Sequence, residues 1–222
     1  MARFIKVIIL VCVCVNFAQA QYGLSGGLDV LKAFGNSKPY VGMHFGGEFP
    51  RNDQQSMYAR ISFYAKQKET VQGSTFAQAI DQTVFPNSLT VGYLNSMNYT
   101  IIEGGNRYYL GDGYDSGFGV YGGGNFMLVF NSVKRKYIYP KDYDQTKYAL
   151  SATELPKGSI FNVGVGLSGG VKHTLAGIGT FYLDAGFAYM LVSSASNTTA
   201  QSTNLYTPLL FSFNVGFRKD FY

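Results

Sequence analysis

From about residue 22 onward, apolar and polar positions alternate in twos. Near the carboxyl end Phe211, Phe213, Val215 and Phe217 are large and apolar, while Ser212, Asn214, Gly216 and Arg218 between them are small or polar. Alternation of this kind predicts an extended strand whose two faces meet different surroundings. The same period sets Met57, Ala59, Ile61, Phe63 and Ala65 against Tyr58, Arg60, Ser62, Tyr64 and Lys66. It also sets Phe161, Val163, Val165 and Leu167 against Asn162, Gly164, Gly166 and Ser168, and Phe181, Leu183, Ala185, Phe187, Tyr189 and Leu191 against Tyr182, Asp184, Gly186 and Ala188. Two earlier segments, about 22–34 and 40–49, carry Leu24, Leu28, Val30, Val41, Met43, Phe45 and Phe49 on one face, with Ser25, Gly27, Asp29, Gly42, His44, Gly46 and Glu48 on the other. Segments 96–110 and 117–133 bring the number to eight. In the first of these the phase slips near Ile101-Ile102 or Gly104-Gly105, which predicts a β-bulge.

The connections carry the topology. Stretches 67–95, 134–159 and 193–204 are long and polar, whereas 35–39, 50–55, 111–116 and 173–177 are short. With the first strand starting in the periplasm, the connections after strands one, three, five and seven are external, and three of those four are long. The sequence thus predicts an all-β fold: an eight-stranded antiparallel transmembrane β-barrel, both termini periplasmic, with short periplasmic turns and long external loops. Unpaired backbone groups are not tolerated in hydrocarbon, so such a sheet must close on itself.

Arg3 and Lys6 precede an apolar run from Val7 to Val15, and Ala18-Gln19-Ala20 supplies the small residues that a signal peptidase reads. Residues 1–20 are therefore expected to be a cleaved signal peptide and 21–222 the barrel domain. The apolar run is too short for a transmembrane helix, which needs about 20 residues. Cys12 and Cys14 both lie in the leader, which leaves the mature chain without a disulfide or a cysteine metal site. The chain has 18 Tyr, 18 Phe and 27 Gly but only 14% charged residues, with no long apolar run after the leader to build a conventional core. That mix suits a barrel with aromatics facing lipid and small or polar residues facing the lumen. The net charge of +5 includes Arg3 and Lys6, and the remainder is too small to suggest nucleic acid.

The ending Gly216-Phe217-Arg218-Lys219-Asp220-Phe221-Tyr222 resembles the terminal-strand signal by which bacterial outer-membrane barrels are handed to their assembly machinery. Phe217 and Phe221 are in phase with the outward residues, and Tyr222 lies one step off. Together with the alternation, this ending looks like the small outer-membrane barrels of the OmpA/OmpX-like superfamily, in particular the PorT-like or uncharacterised outer-membrane β-barrel proteins of Bacteroidetes. The resemblance spans the mature chain. It implies an outer-membrane location, with contact to lipopolysaccharide and to the barrel assembly machinery; no cofactor is expected, because no His/Asp/Glu cluster shows ligand spacing. Roles in that superfamily range from adhesion to lipid-A modification and envelope structure, and the fold does not choose among them.

Gly164-Val165-Gly166-Leu167-Ser168-Gly169 matches the Gly-x-Gly-x-x-Gly pattern of dinucleotide sites, but that use needs a helix to begin within it. Here the glycines continue a strand, and the expectation is that they let the walls of a narrow barrel approach. His44 and His173 are the chain's two histidines. One is placed on the lumen face beside Glu48 and the other in a periplasmic turn, so neither suits attack on an outer-leaflet lipid. Asn98-Tyr99-Thr100 and Asn197-Thr198-Thr199 read as chance matches to a glycosylation pattern. The lumen face is expected to carry a polar network of Asp29, His44, Glu48, Arg60, Lys66, Asp184 and Arg218, joined by Tyr58, Tyr64, Asn125, Asn162, Lys172, Tyr182 and Asn214. Eight strands leave an interior just wide enough for side chains, which favours a closed plug over a conduit.

The function this suggests is a non-enzymatic barrel acting through its external loops in envelope structure, binding or adhesion. Its rivals are a barrel subunit of an export or uptake complex and a lipid-A-modifying enzyme. One stretch points to a ligand: Lys134, Arg135, Lys136, Tyr137, Tyr139 and Lys141 interleave cations with tyrosines where a strand should leave the outer leaflet, a pattern suited to lipopolysaccharide phosphates or an acidic partner.

Overall fold

The computed structural model describes residues 21–36, 38–150, 157–197, 203 and 205–221. The expected signal peptide, 1–20, and Tyr222 of the expected assembly signal lie outside the described residues.

Ten strands are present among the described residues: β1 Tyr22–Ala33, β2 Tyr40–Asn52, β3 Gln55–Tyr64, β4 Gln67–Ala79, β5 Ser88–Gly111, β6 Gly117–Ile138, β7 Tyr148–Leu150, β8 Lys157–Leu175, β9 Gly179–Ala195 and β10 Leu209–Phe221. All pairings are antiparallel, in the order β3-β2-β1-β10-β9-β8-β6-β5-β4-β7, and a further pairing of β3 with β5 closes the sheet. Eight strands therefore form the wall, with β4 continuing β3 after a break at Ala65 and Lys66. One circuit of paired residues runs Phe118, His173, Phe181, Phe217, Gly26, Phe45, Ile61, Ile102 and back to β6 at Leu128, ten residues beyond its start at Phe118. That stagger tilts the strands by about 40° and sets the bore. Tyr22 pairs with Phe221, so both described ends of the chain lie at the end of the barrel that carries the short turns.

The outer wall is apolar. Leu28, Phe45, Leu167 and Phe187 are all more than half exposed, as befits a surface in contact with acyl chains. Aromatic pairs ring the turn end, with Tyr22 and Phe221 at 5.2 Å and Phe181 and Phe217 at 5.1 Å between ring centres.

Three expectations are corrected. Most of the stretch 67–95 is sheet rather than loop, with a turn only over 80–87, since β4 pairs with the outer half of β5 and β7 adds a third strand at Ala77–Ala79. Residues 134–138 likewise continue β6. The sequence hid these segments because strands beyond the bilayer have no lipid to impose apolar alternation. Their β-branched content at Thr70, Val71 and Thr75 was the signal available. Second, no bulge occurs at 101–105. Odd positions of β5 face inward without interruption, from Val91 through Ile101 and Glu103 to Tyr109, and the register with β6 is constant. The apparent slip came from Met97, Tyr99 and Ile101, apolar residues that face the lumen and not the lipid. The register shifts fall instead at Pro50/Asn52, Val71/Thr75 and Val163/Gly164. Third, His173 belongs to β8, exposed on the outer wall near the turn end, and not to a turn.

Phe187→Arg and Phe213→Arg should each destabilise the barrel by up to about 2–4 kcal/mol, falling towards zero for positions nearer the interface. Urea unfolding of the bilayer-inserted protein measures this, with the Leu variants at the same positions expected to stay close to the parent.

Candidate functional site

The lumen is filled in layers. At the turn end Tyr114, in the connection from β5 to β6, folds under the barrel and is almost fully buried. Its backbone N–H donates to the Asp53 carbonyl at 2.7 Å, and its hydroxyl donates to Asp220 at 2.9 Å. Gly113, just before it, has φ of +73° and lies so close to the Asp53 carbonyl that a Cβ would sit 2.5 Å away, so glycine is required at this turn. Arg218 lies over the Tyr114 ring, 3.7 Å from its centre, and Lys172 Nζ donates to the Ser116 carbonyl at 2.6 Å.

Above this seal lies the charged layer. Glu48 Oε2 accepts from Arg107 at 2.7 Å and from Arg218 at 3.2 Å, and Glu48 Oε1 accepts from Ser56 and Tyr109. Arg107 reaches on to Asp184 at 3.1 Å, where Tyr121 and Asn214 also donate. Arg60 donates to Glu103, which accepts from Asn125 as well. His44 bridges Asp29 and Tyr182 through its two ring nitrogens, and Tyr64 donates to Asp29 at 3.3 Å. Gly27 makes room for that imidazole, since a Cβ there would approach the His44 ring to 2.7 Å.

The half of the lumen towards the long connections is mainly apolar, with Asn131 and Asn162 as a hydrogen-bonded pair among hydrocarbon neighbours. Leu31, Met97, Ile101, Met127, Val129, Val133, Ile160, Met190 and Leu210 pack together, and Leu205, from the β9–β10 connection, closes them off. The hydroxyls of Tyr40 and Tyr99 hold the Leu205 carbonyl at 3.2 and 3.4 Å, with their rings edge to face at 4.8 Å. Between the two layers a small cavity lined by Arg60, Glu103, Asn125 and Ser168 has room for about one water molecule.

Of the expected lumen network, Asp29, His44, Glu48, Arg60, Asp184 and Arg218 are brought together, as are Tyr58, Tyr64, Asn125, Tyr182 and Asn214. Lys172 joins the turn-end seal, and Asn162 lies higher, donating to Asn131 at 3.0 Å. Lys66 is a correction: it sits at the break between β3 and β4, exposed, because the inward phase of β3 ends at Tyr64. The alternation missed Glu103, Arg107, Tyr109 and Tyr121. The first three follow from an uninterrupted odd phase in β5, which the paired isoleucines and paired glycines obscured. Gly164 and Gly166 face the lumen, Gly169 faces outward, and all three lie within β8 with no helix beginning there.

The basic stretch is divided between two faces. Lys134 and Lys136 are exposed on the outer wall, while Arg135 points inward, stacked 3.9 Å from the centre of the Tyr93 ring and donating to Asn95 at 3.1 Å. The three cations therefore do not form one patch, because alternate residues of a strand point to opposite faces. Tyr137, Tyr139, Tyr143 and Tyr148 form a ladder, the tightest step being 4.2 Å between Tyr139 and Tyr143. Lys141 is exposed in the turn between β6 and β7. Asp144 in the same turn has its carboxyl held below the usual range by hydrogen bonds from the hydroxyl and backbone N–H of Thr146. Phe217 and Phe221 lie on the outward face of β10, as expected.

Removing one partner from the charged layer strands the others. Glu48→Ala should cost about 3–5 kcal/mol, because it removes the carboxylate that Arg107 and Arg218 share and leaves their buried charges only partly answered by Asp184 and Asp220. Lys66→Ala, at an exposed site, should stay within about 0.5 kcal/mol of the parent. Urea or thermal unfolding of the folded barrel, followed by its shift in gel mobility, measures both.

No protein-family model matches the chain, and no curated protein matches its sequence. Among solved structures, the Neisserial surface protein A superposes with a TM-score of 0.51 at 11% identity, covering 90% of this chain and 96% of that one. A major outer membrane protein from Thermus thermophilus gives 0.51 at 11% identity, covering 91% of this chain and 100% of its own. At such identity the likeness is one of fold, and it agrees with the closed sheet and apolar outer wall: the chain has the fold of a small eight-stranded outer-membrane β-barrel.

Proposed function

We propose that the protein is a closed, non-conducting barrel of the outer membrane, termini towards the periplasm, that acts as a structural and binding element through its outer wall and its loop-end sheet, without catalysis. The observation that carries this reading is the filled lumen. Tyr114 closes one end, Leu205 closes the other, and a cross-linked charged layer and an apolar layer lie between them. A lumen packed in this way offers no path for a solute. His44 supports the non-enzymatic reading, because both its nitrogens are engaged inside the lumen, out of reach of a lipid. At the loop end β4, β5 and β7 carry a small apolar cluster of their own around Ala77, Val91 and Tyr148, so the surface offered to partners is ordered sheet.

The purified barrel, reconstituted in a planar bilayer, should produce no conductance steps. Leu205→Ala should remain silent as well, since the charged layer still blocks the bore. Ohmic channels from the parent protein would overturn the closed-barrel reading. Stoichiometric partner proteins recovered in mild detergent would replace it with that of a subunit in a larger assembly.

A further inference from the structure

Strand register gathers lysines that lie far apart in the sequence. Lys68 stands opposite Ser96, Ser96 opposite Lys134, and Lys134 opposite Lys157, so one row crosses β4, β5, β6 and β8. Residues paired in this way share a face, and the three lysines are exposed on the outer wall. One same-face step further out, Lys136 is paired with Leu94. One step back towards the bilayer, Ser132 stands between Asn98 and Ser159, and one step beyond that, Phe130 stands between Thr100 and Phe161 with the two phenylalanine rings 5.1 Å apart. The wall thus passes from aromatic to hydroxyl and amide to ammonium over two steps of about 7 Å each.

Like charges directly opposite one another across strands repel. Among the described residues no carboxylate forms an ion pair with Lys68, Lys134, Lys136 or Lys157, and Lys147 at Asp144 shows what such a pair looks like on this surface. A row of cations left uncompensated, immediately beyond an apolar wall, fits a layer of anions already present at that height. We propose that Lys68, Lys134 and Lys157 bind the phosphates of an anionic lipid headgroup in the leaflet that surrounds the loop end. The inference rests on the outer-membrane reading above and deepens it by naming the ligand chemistry and the wall sector. The row spans three strand spacings, roughly 14 Å, so a headgroup with two phosphates meets more than one lysine. Their aliphatic stems lie along the wall while the ammonium groups reach the headgroup plane. A soluble anion would have no reason to prefer a row continuous with the lipid-facing wall.

The test uses the full mature chain, reconstituted in phosphatidylcholine vesicles doped with a diphosphorylated glycolipid (lipid A) and then extracted in neutral detergent. Lipid bound per barrel is counted by native mass spectrometry. The parent should retain lipid A severalfold above its share of the vesicle, and retention should fall as salt is raised. The variant K68Q/K134Q/K157Q should fall to the bulk share. A control that loses the same charge elsewhere at the loop end, K38Q/K141Q/K147Q, should match the parent. Heat-dependent gel mobility confirms that each variant is folded. Equal retention by the parent and the row variant, or equal loss in the control, overturns the proposal. So does displacement of the lipid by inorganic phosphate beyond that caused by sodium chloride at the same ionic strength, which would make the occupant a free anion. Conductance in the planar bilayer would overturn the closed-barrel reading without changing the outcome of the retention assay.

Discussion

A guanidinium enclosed in a barrel has no solvent to turn to, so its charge must be answered by other side chains. Arg107 sets that condition for the lower lumen. It joins Glu48 to Asp184, the carboxylates that collect Arg218, Arg60, Tyr109, Tyr121 and Asn214. Its plane also lies against Tyr58 and Tyr121, 4.4 and 4.8 Å from the ring centres, and the aromatic faces take charge that would otherwise be unshielded. Strands far apart in the sequence are cross-linked through this one side chain, and the two carboxylates it joins, on β2 and β9, come from opposite halves of the chain.

The apolar half obeys a different rule. Eight strands staggered by ten residues enclose little more than the volume of their own side chains. A bore of that size can be filled with hydrogen-bonded polar groups or with hydrocarbon, and this chain uses both, one at each end. The change occurs between Arg60 with Glu103 and Ile101 with Leu210, where the remaining space holds about one water. Ion pairs near the turn end link β2, β5, β9 and β10 across the bore. Apolar packing near the loop end anchors Leu205 against Tyr40 and Tyr99.

Where lipid touches the chain, the fold was legible. Phe211, Phe213 and Val215 or Phe181, Leu183 and Phe187 announce their face because the bilayer demands apolar side chains at every second position, and the inward Asp184, Asn214 and Arg218 follow by parity. Legibility failed where that demand lapses. Beyond the membrane, Gln67 to Ala79 is two-sided and polar, so the period vanished although the hydrogen bonding continued. Inside the lumen, Met97, Tyr99 and Ile101 are apolar without being lipid-facing, and the phase read across them slipped, which hid Glu103 and Arg107. Arg135 shows the same limit on the scale of a site: a run of cations in the sequence is not a patch once alternate residues point apart. The lysine row could not be read from the sequence at all, since it exists only in the pairing of β4, β5, β6 and β8.

The sheet of β4, β5 and β7 that stands past the apolar wall has a consequence for change over time. Its course is dictated by main-chain pairing and a small set of inward residues such as Ala77, Val91 and Tyr148. The outward residues of the same strands, Thr70, Gln78 and Thr90 among them, contribute little to that course. The face shown to the surroundings can therefore be rewritten residue by residue while the frame beneath it keeps its shape. A surface of that kind can vary under selection by whatever recognises it without putting the barrel at risk.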